Sequence, residues 1–300
     1  MKFLFTILLF LSFSFNANAQ AYLKAEYIGS SSYKDIDNNK TGGKGDAKII
    51  SGGVQIPLSM KMNENNRPIV WGIGLGGSYT SFNNRNIPTD LCPEEILNAQ
   101  LSLMHMRPIS EKWSIIASLG AGVYTAHADL SKIRMKSVLA HGGVIFIWHL
   151  RDNLDVGMGL AINNSFGYPM AFPAFYLNWE LHGRYEVKVS MVDAVSVSAG
   201  IKLKDYFKLN LVAEMNGSLA LEKINGEEKM FSHQYIVTGI QPEFTIGKSL
   251  SIPITAGIVA DRPAFYEKRS LKSFFKAMNR EHDPHFTVAP YVSVGLKYRF

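Results

Sequence analysis

The sequence predicts an all-β fold, an antiparallel transmembrane β-barrel of about 14 strands, and three observations indicate it. The chain begins with an export signal, many segments alternate between apolar and polar residues, and the connections alternate between short and long. Neighbouring side chains of a strand point to opposite faces, so alternation directs apolar residues to lipid and polar residues to a lumen. A soluble β-sandwich strand alternates in the same way, and the export signal and the connections favour the barrel.

The amino terminus has the pattern of a cleavable signal peptide. Met1 and Lys2 precede an apolar run over residues 3–15, and Ala17, Asn18 and Ala19 form the small-x-small site before Gln20. The run is shorter than the roughly 20 apolar residues of a membrane-spanning helix. We therefore expect residues 1–19 to be a signal peptide and residues 20–300 to form a barrel in the outer membrane of a Gram-negative bacterium.

The connections between predicted strands alternate in length. Short breaks fall near residues 63–67, 110–111, 151–153, 182–184, 204–206 and 247–249. The breaks between them span residues 34–45, 83–95, 127–135, 164–171, 191–193, 222–231 and 262–283, and only the one near residue 192 is short. A barrel with both termini in the periplasm has tight turns there and longer loops outside. Twelve strands are the alternative, because five prolines interrupt proposed strands: Pro57, Pro173, Pro242, Pro253 and Pro290.

The last strand is the clearest case of alternation. Its apolar face consists of Phe286, Val288, Pro290, Val292, Val294, Leu296, Tyr298 and Phe300. An aromatic carboxyl terminus on such a strand resembles the signal by which bacterial outer-membrane barrels are recognised for assembly, and Tyr298 and Phe300 would provide it. Residues 207–221 alternate similarly, and the side chains predicted to face lipid there are Phe207, Leu209, Leu211, Ala213, Met215, Leu219 and Leu221.

Glycines and ionisable residues occupy the predicted inward positions. The glycines are Gly72, Gly74, Gly76, Gly157 and Gly159. The room they leave is either a water-filled pore or is filled by inward loops and larger side chains. The candidate pore-lining residues are Glu180, Glu186, Lys188, Lys202, Glu214, Glu243, Asp261, Lys297 and Arg299. Opposed charges of this kind either select solutes or pair with one another as structural salt bridges.

Residues 270–280 form the one predicted helix, in the last extracellular loop. Leu271, Phe274, Phe275 and Met278 recur at helical spacing and form an apolar stripe. This stripe either plugs the barrel mouth or rests on the outer leaflet. We expect a plug, because Lys268 and Arg269 just upstream are suited to pairing with lumen carboxylates.

The sequence shows no catalytic or metal-binding signature. Four histidines lie in or beside predicted strands, but no Gly-x-Ser-x-Gly elbow accompanies them, and no catalytic residue is predicted: His105, His141, His149 and His182. Glu281, His282, Asp283 and His285 are not spaced as a zinc signature, so a solvated loop with no metal or cofactor is expected. The single cysteine, Cys92, excludes an internal disulfide and is interpreted as a passive loop residue.

Four short motifs resemble a family of Bacteroidota outer-membrane barrels classified as a domain of unknown function. The motifs span residues 55–58, Gln-Ile-Pro-Leu; residues 111–114, Glu-Lys-Trp-Ser; residues 167–179, from Gly-Tyr-Pro to Asn-Trp; and residues 295–300, Gly-Leu-Lys-Tyr-Arg-Phe. The resemblance covers the chain from about residue 44 to its end. It implies a barrel in the outer membrane, with no established activity or catalytic residues.

The leading functional hypothesis is a passive or gated pore for small polar solutes, since glycines and polar side chains face inward. A non-conducting barrel that serves as scaffold, receptor or assembly partner in an envelope complex is the alternative, and a barrel hydrolase is the third. The expected partners are outer-membrane lipids, lipopolysaccharide and the barrel-assembly machinery, with no nucleic acid. The formal net charge of +6 is compatible with anionic solutes or lipopolysaccharide phosphates.

Overall fold

The computed structural model describes residues 20–64, 67–129, 131, 133–191 and 195–300. The predicted signal peptide, residues 1–19, and the predicted break near residue 192 lie outside these residues. No helix in the described part of the chain is long and apolar enough to cross a membrane.

The described chain is almost entirely β-structure. Its strands are β1 (Gln20–Lys34), β2 (Lys40–Met62), β3 (Pro68–Arg85), β4 (Glu95–Pro108), β5 (Trp113–Thr125), β6 (Val138–Arg151), β7 (Leu154–Asn163), β8 (Met170–Leu181), β9 (Tyr185–Met191), β10 (Val195–Lys204), β11 (Phe207–Ile224), β12 (Glu227–Ile246), β13 (Leu250–Lys268), β14 (His285–Phe286) and β15 (Ala289–Arg299). A 3-10 helix covers Met135–Ser137, and one α-helix, α1 (Leu271–Met278), lies between β13 and β14.

The strands form one closed antiparallel sheet. Each strand from β1 to β13 pairs with the next, and β15 pairs with both β13 and β1, from Gln20 opposite Arg299 to Ile28 opposite Tyr291. The short β14 lies in the same position between β13 and β1, so β14 and β15 together form the fourteenth strand of the barrel. The prediction of 14 strands is confirmed, and the alternative of 12 is wrong.

Three of the five prolines lie beside irregular places in the sheet, whereas Pro173 and Pro290 lie in regular runs of pairing. The β2–β3 register shifts between Pro57 and Ser59, as expected where a proline removes a ladder hydrogen bond. The β13 pairings also skip positions beside Pro242 and Pro253. Strands containing prolines therefore remain in the wall, which is why the larger strand count holds.

The two ends of the barrel differ. The turn end contains Gln20, Phe300 and the connections over residues 63–67, 109–112, 152–153, 182–184, 205–206 and 247–249. The loop end contains most of the longer connections. The predicted long break at residues 222–231 is wrong, because β11 and β12 are joined by a two-residue turn. Asn225 (φ 53°) and Gly226 (φ 83°) adopt the left-handed backbone that such a hairpin turn requires.

Beyond Glu214, the β11 edge of the β11–β12 hairpin reaches across the lumen, while β12 stays paired with β13 in the wall. The β10–β11 pairing ends at Ser196 opposite Glu214. Beyond it, the Asn98 side chain on β4 donates a hydrogen bond to the Leu219 carbonyl (2.5 Å) and accepts one from the Leu219 N–H (3.2 Å). Because β4 and β11 lie on opposite sides of the 14-strand wall, this contact spans the lumen.

The inward course of the hairpin corrects the predicted face of β11. Leu209 and Leu211 are exposed on the outer surface as expected. Met215, Leu219 and Leu221 were expected to face lipid but are buried, because other parts of the chain cover both faces of the hairpin. Leu219 and Leu221 pack with Leu139 and Met230, and Tyr124 lies against this cluster.

The other face of the hairpin packs into an apolar core inside the loop half of the barrel, which we call the inner core. Its members are Ile28, Tyr33, Ala47, Ile49, Phe82, Cys92, Ile96, Ala126, Ala220, Phe231, Tyr235, Val237, Val259, Ala264, Phe286, Ala289 and Tyr291. Phe286 was expected on the lipid face, but the break between β14 and β15 shifts the alternation and turns it inward. Cys92 lies in the β3–β4 loop, as expected, and its side chain is buried in this core, where burial raises the pKa of its thiol to about 12.

Candidate functional site

The turn half of the lumen contains a cavity of about 910 Å³. Residues of β1–β5, β8–β13 and β15 line it, with Tyr124 as the contribution of β5, and His182, Asp205 and Lys248 belong to its turn-end opening. At its inner end the lining includes Asn98 and Ser218, where the hairpin crosses. The cavity therefore reaches one end of the barrel and is blocked by the hairpin toward the other.

The predicted inward glycines have different roles. Gly74 and Gly76 line the cavity and leave room in it, as expected. Gly159 does not line it: a Cβ there would lie 1.9 Å from the Val144 carbonyl oxygen, so glycine permits β6 and β7 to approach closely.

Eight of the nine predicted pore-lining residues line the cavity: Glu180, Glu186, Lys188, Lys202, Glu214, Glu243, Lys297 and Arg299. The ninth, Asp261, does not. It is exposed on β13 beside a register shift opposite Ile236 and Val237, and this shift turns its neighbour Arg262 into the barrel instead. A period-two pattern cannot reveal such a shift, because the extra residue reverses the faces.

Several of these charges pair across neighbouring strands. Lys188 lies 2.7 Å from Glu180, and Lys208 lies 2.6 Å from Glu186. Lys202 pairs with Asp205 in the exposed β10–β11 turn, and this contact holds the pKa of the Asp205 carboxyl below its usual value. The interpretation of these residues as paired charges is therefore correct for part of the set.

A second group of charges lies at the inner end of the cavity and is called the floor network. It consists of Lys24, Glu26, Glu214, Tyr235 and Tyr291. The Lys24 ammonium is 3.2 Å from Glu26 and 3.3 Å from Glu214, while the Tyr235 and Tyr291 hydroxyls donate to Glu26. Sequence reasoning missed Lys24 and Glu26, although β1 alternates between them and the outward Leu23, Ala25 and Tyr27. The alternation pattern could not reveal that Lys24 pairs with Glu214, because these two residues are 190 positions apart in the sequence.

Three cations at the turn-end opening have no such partners. Lys248, Lys297 and Arg299 line the cavity, and none of the ion pairs among the described residues includes them. These three cations outnumber Glu243, the cavity carboxylate that also has no ion pair among the described residues, so the cavity has a small excess of unpaired positive charge, which attracts anions.

Comparison with known proteins identifies the family. Residues 15–299 match the family described as Domain of unknown function (DUF6268). The chain belongs to this family. No curated protein matches the DUF6268 chain in sequence.

Solved structures similar to the DUF6268 barrel share little sequence with it. The COG4313 outer membrane channel from Pseudomonas putida F1 is 6% identical, with a TM-score of 0.46 over 96% of this chain and 98% of that one. The translocator domain of autotransporter NalP from Neisseria meningitidis is 13% identical, with a TM-score of 0.37 over 95% and 90%. The toluene transporter TbuX from Ralstonia pickettii is 8% identical, with a TM-score of 0.37 over 95% and 90%. These values assign no role to the DUF6268 chain.

Helix α1 of the DUF6268 barrel covers one side of the loop end. The Ser270 hydroxyl caps it by accepting from the Ser273 N–H (3.2 Å). Phe274 packs edge-on against Phe166 at 5.1 Å, with Leu271 alongside, whereas Phe275 is exposed. The side chain of Met278 lies outside the described part of the structure. The segment that reaches across the lumen is the β11–β12 hairpin, so the predicted plug helix is at most an additional cover.

Ion pairs connect the hairpin tip to neighbouring elements. Lys136 of the 3-10 helix lies 2.5 Å from Glu228, and Lys268 lies 2.5 Å from Glu227. Arg269 lies 3.6 Å from Glu228. The expectation that Lys268 and Arg269 would pair with lumen carboxylates is wrong, because their partners are on the hairpin tip.

The remaining candidates of the DUF6268 chain are spread over the barrel. Tyr298 and Phe300 point outward with their rings 5.0 Å apart. Asp283 pairs with Arg280, and no group of three potential ligands that could hold a metal ion occurs among the described residues. His105 stacks on the outward Trp71.

His149 is the exception among the histidines. Its Nε2 lies 2.8 Å from the Ser114 hydroxyl, and its Nδ1 lies 2.7 Å from Asp155. The sequence offered no motif for this contact, because Ser114 and His149 are 35 residues apart on neighbouring strands.

Proposed function

We propose that the protein is a gated pore for small polar solutes in the outer membrane of a Gram-negative bacterium, with its turn end in the periplasm. The observation that carries this proposal is the cavity of about 910 Å³, which is lined by charged and polar side chains and stops at the hairpin. A barrel that acted only as a rigid scaffold would not require an internal cavity of this size. Outer-membrane lipids, lipopolysaccharide and the barrel-assembly machinery are its proposed partners.

The β11–β12 hairpin has the properties of a gate. Beyond Glu214, the described part of β11 has no neighbouring strand on its outer edge, whereas β12 stays paired with β13 from His233 to Lys229, so only the β11 edge can move without breaking wall pairing. Asn98 provides the hydrogen bonds that hold this edge to the opposite wall. Opening therefore requires the β11 edge to release the Asn98 hydrogen bonds and its inner-core contact at Ala220 while β12 stays in the wall, and an element of this kind can adopt two positions.

The charges at the opening favour anionic solutes. Lys248, Lys297 and Arg299 have no ion-pair partner among the described residues, whereas most cavity carboxylates are paired with lysines. Fixed charge at the opening of a pore selects ions of the opposite sign.

The alternative is a barrel that stays closed and acts as a scaffold in an envelope complex. The inner core favours this reading, because seventeen buried residues fill the loop half of the lumen. The two functions differ in whether the hairpin moves in the native protein.

The deciding experiment is single-channel recording of purified, folded protein in a planar bilayer. We expect transient, anion-selective openings for the natural chain. A variant in which an Asn-Gly turn joins Ser218 directly to His233, replacing residues 219–232, should stay open with a larger conductance.

A deletion of residues 36–38 in the β1–β2 loop is the matched control and should behave as the natural chain does. If the natural chain is folded but never opens, and only the shortened hairpin conducts, the closed-scaffold alternative is correct. If neither conducts, the pore proposal is wrong.

A further inference from the structure

Ser114, His149 and Asp155 form a hydrogen-bonded group on β5, β6 and β7, outside the cavity described above. Asp155 as a carboxylate can only accept a hydrogen bond, so Nδ1 of His149 carries the proton of their 2.7 Å contact. In the neutral ring, Nε2 is then an acceptor, and the Ser114 hydroxyl donates to it across 2.8 Å. We infer that Ser114, His149 and Asp155 form a nucleophile, general base and orienting carboxylate that hydrolyse small apolar carboxylic esters.

The location gives this group access to solvent. Ser114 follows the β4–β5 connection, and His149 and Asp155 flank the β6–β7 connection. Both connections are at the turn end, so all three residues lie there. The side chains of His149 and Asp155 are 29% and 27% exposed, while Ser114 is buried. A ligand arriving from the turn end would meet the imidazole first and the hydroxyl behind it.

The group is separate from the cavity of the proposed pore. None of its three residues lines that cavity, whose walls are formed mainly by the other strands. The inference therefore does not depend on conduction, and each proposal can fail without the other.

The surroundings of Ser114 indicate the class of substrate. On the inward face, Ile116 is the next residue along β5 and Ile147 is the cross-strand neighbour of Ser114. Both belong to a buried apolar cluster with Ile145, against which Met106 packs. A short apolar acyl group is compatible with these neighbours, whereas a charged group would lose its hydration there.

The proposed reaction follows the serine-hydrolase scheme. The Ser114 oxygen attacks the ester carbonyl carbon and transfers its proton to His149 Nε2. The carbonyl carbon to alcohol oxygen bond breaks, and the leaving alcohol takes that proton. Water then attacks the acyl-serine with His149 as base, which releases the carboxylic acid and restores the Ser114 hydroxyl. Asp155 accepts from the Nδ1–H throughout and stabilises the imidazolium.

The test is covalent labelling of folded protein with a fluorophosphonate probe, which reacts with activated serine hydroxyls. We expect a single adduct, located on Ser114 by mass spectrometry. Ser114→Ala should abolish labelling, and His149→Ala should slow it by a factor of about 10²–10⁴. Ser118→Ala is the matched control, since Ser118 is another buried inward serine on β5, and it should label at the natural rate.

The folded state of each protein is checked by the change of gel mobility on boiling. Mapping the adduct on the natural chain requires no variant, so the test holds even where a variant does not fold. No adduct on the folded natural chain, or an adduct at another residue, overturns the inference. An unchanged labelling rate in His149→Ala also overturns it, because a purely structural hydrogen bond would leave Ser114 unactivated.

Discussion

Asn98 joins two elements that no sheet pairing connects. Its amide satisfies both the N–H and the carbonyl of Leu219, as a neighbouring strand would. Backbone groups buried without a partner are costly, so the free edge of β11 needs this substitute. A single side chain thus replaces a strand at the point where the lumen closes.

We predict that Asn98→Ala favours the open state. Removing two hydrogen bonds of about 0.5–1.5 kcal/mol each shifts the balance by about 1–3 kcal/mol. This corresponds to a ratio of open to closed states that is about 5–150-fold higher. Single-channel open probability measures the change. Asn210→Ala, which removes an inward amide from the cavity lining, is the control, and equal open probabilities for the two variants would contradict the role of Asn98.

At the scale of elements, β15 and β11 show what alternation can and cannot predict. The outward face of β15 follows its sequence pattern from Pro290 to Tyr298, because that face lies on the outside of the barrel along the whole strand. On β11 the same pattern is correct as far as Ala213 and then fails. An apolar residue in the pattern predicts that its side chain is shielded from water, but not whether lipid or another strand shields it. The covering residues lie far away in sequence, as the 121-residue separation of Asn98 and Leu219 shows.

The residues of the candidate site could be predicted from the sequence about as well as the faces of the strands. The alternation pattern predicted most of the charged residues that line the cavity, because the direction of each of these side chains depends only on its position in its own strand. It could not find the floor network or the contact of Ser114 with His149, since these depend on the curvature and register of the closed sheet. Asp261 was misplaced for the same reason, by one shift of register.

The tip of the hairpin should respond to pH. The hydrogen bond from Lys136 holds the pKa of the Glu228 carboxyl below its usual range. Because this pKa is lowered in the closed state, the contribution of the pair is complete above the ordinary glutamate pKa. It is lost as the pH falls through the lowered value. We predict that acidifying the loop-side compartment raises the open probability.

Glu228→Gln should open more often at neutral pH and lose this acid response. Asp37→Asn, in the β1–β2 loop, is the control and should keep it. Both side chains of the pair are partly exposed, so the effect should be modest and weaker at high salt. An identical acid response in Glu228→Gln and the natural chain would assign it to other groups.

At the scale of the whole molecule, the outer surface indicates how the barrel sits in a bilayer. All four tryptophans point outward near the turn end: Trp71, Trp113, Trp148 and Trp179. Trp113 and Trp148 stack with ring centroids 5.7 Å apart. Aromatic girdles of this kind lie at the interface between lipid and water.

The opposite boundary is visible on β2. Its outward residues are apolar from Leu58 to Ile50, and exposed lysines follow at Lys48 and Lys44. A strand needs about 9–11 residues to cross the hydrocarbon core, and β12 and β13 contain 20 and 19. In the proposed membrane orientation, the loop ends of the long strands, including the hairpin tip, would therefore extend beyond the lipid, which is consistent with a titratable contact there.

This arrangement predicts the depth of the tryptophans. In vesicles of lipids brominated near the head group, tryptophan fluorescence should be quenched strongly, because all four rings lie at the turn-end interface. Lipids brominated near the end of the acyl chain should quench it less. Stronger quenching by the deep bromines would place the girdle inside the hydrocarbon and would shift the membrane toward the loop end. The contact between Glu228 and Lys136 would then lie close to the lipid, where charged side chains are unfavourable. The acid response predicted for this contact would have to arise from other groups.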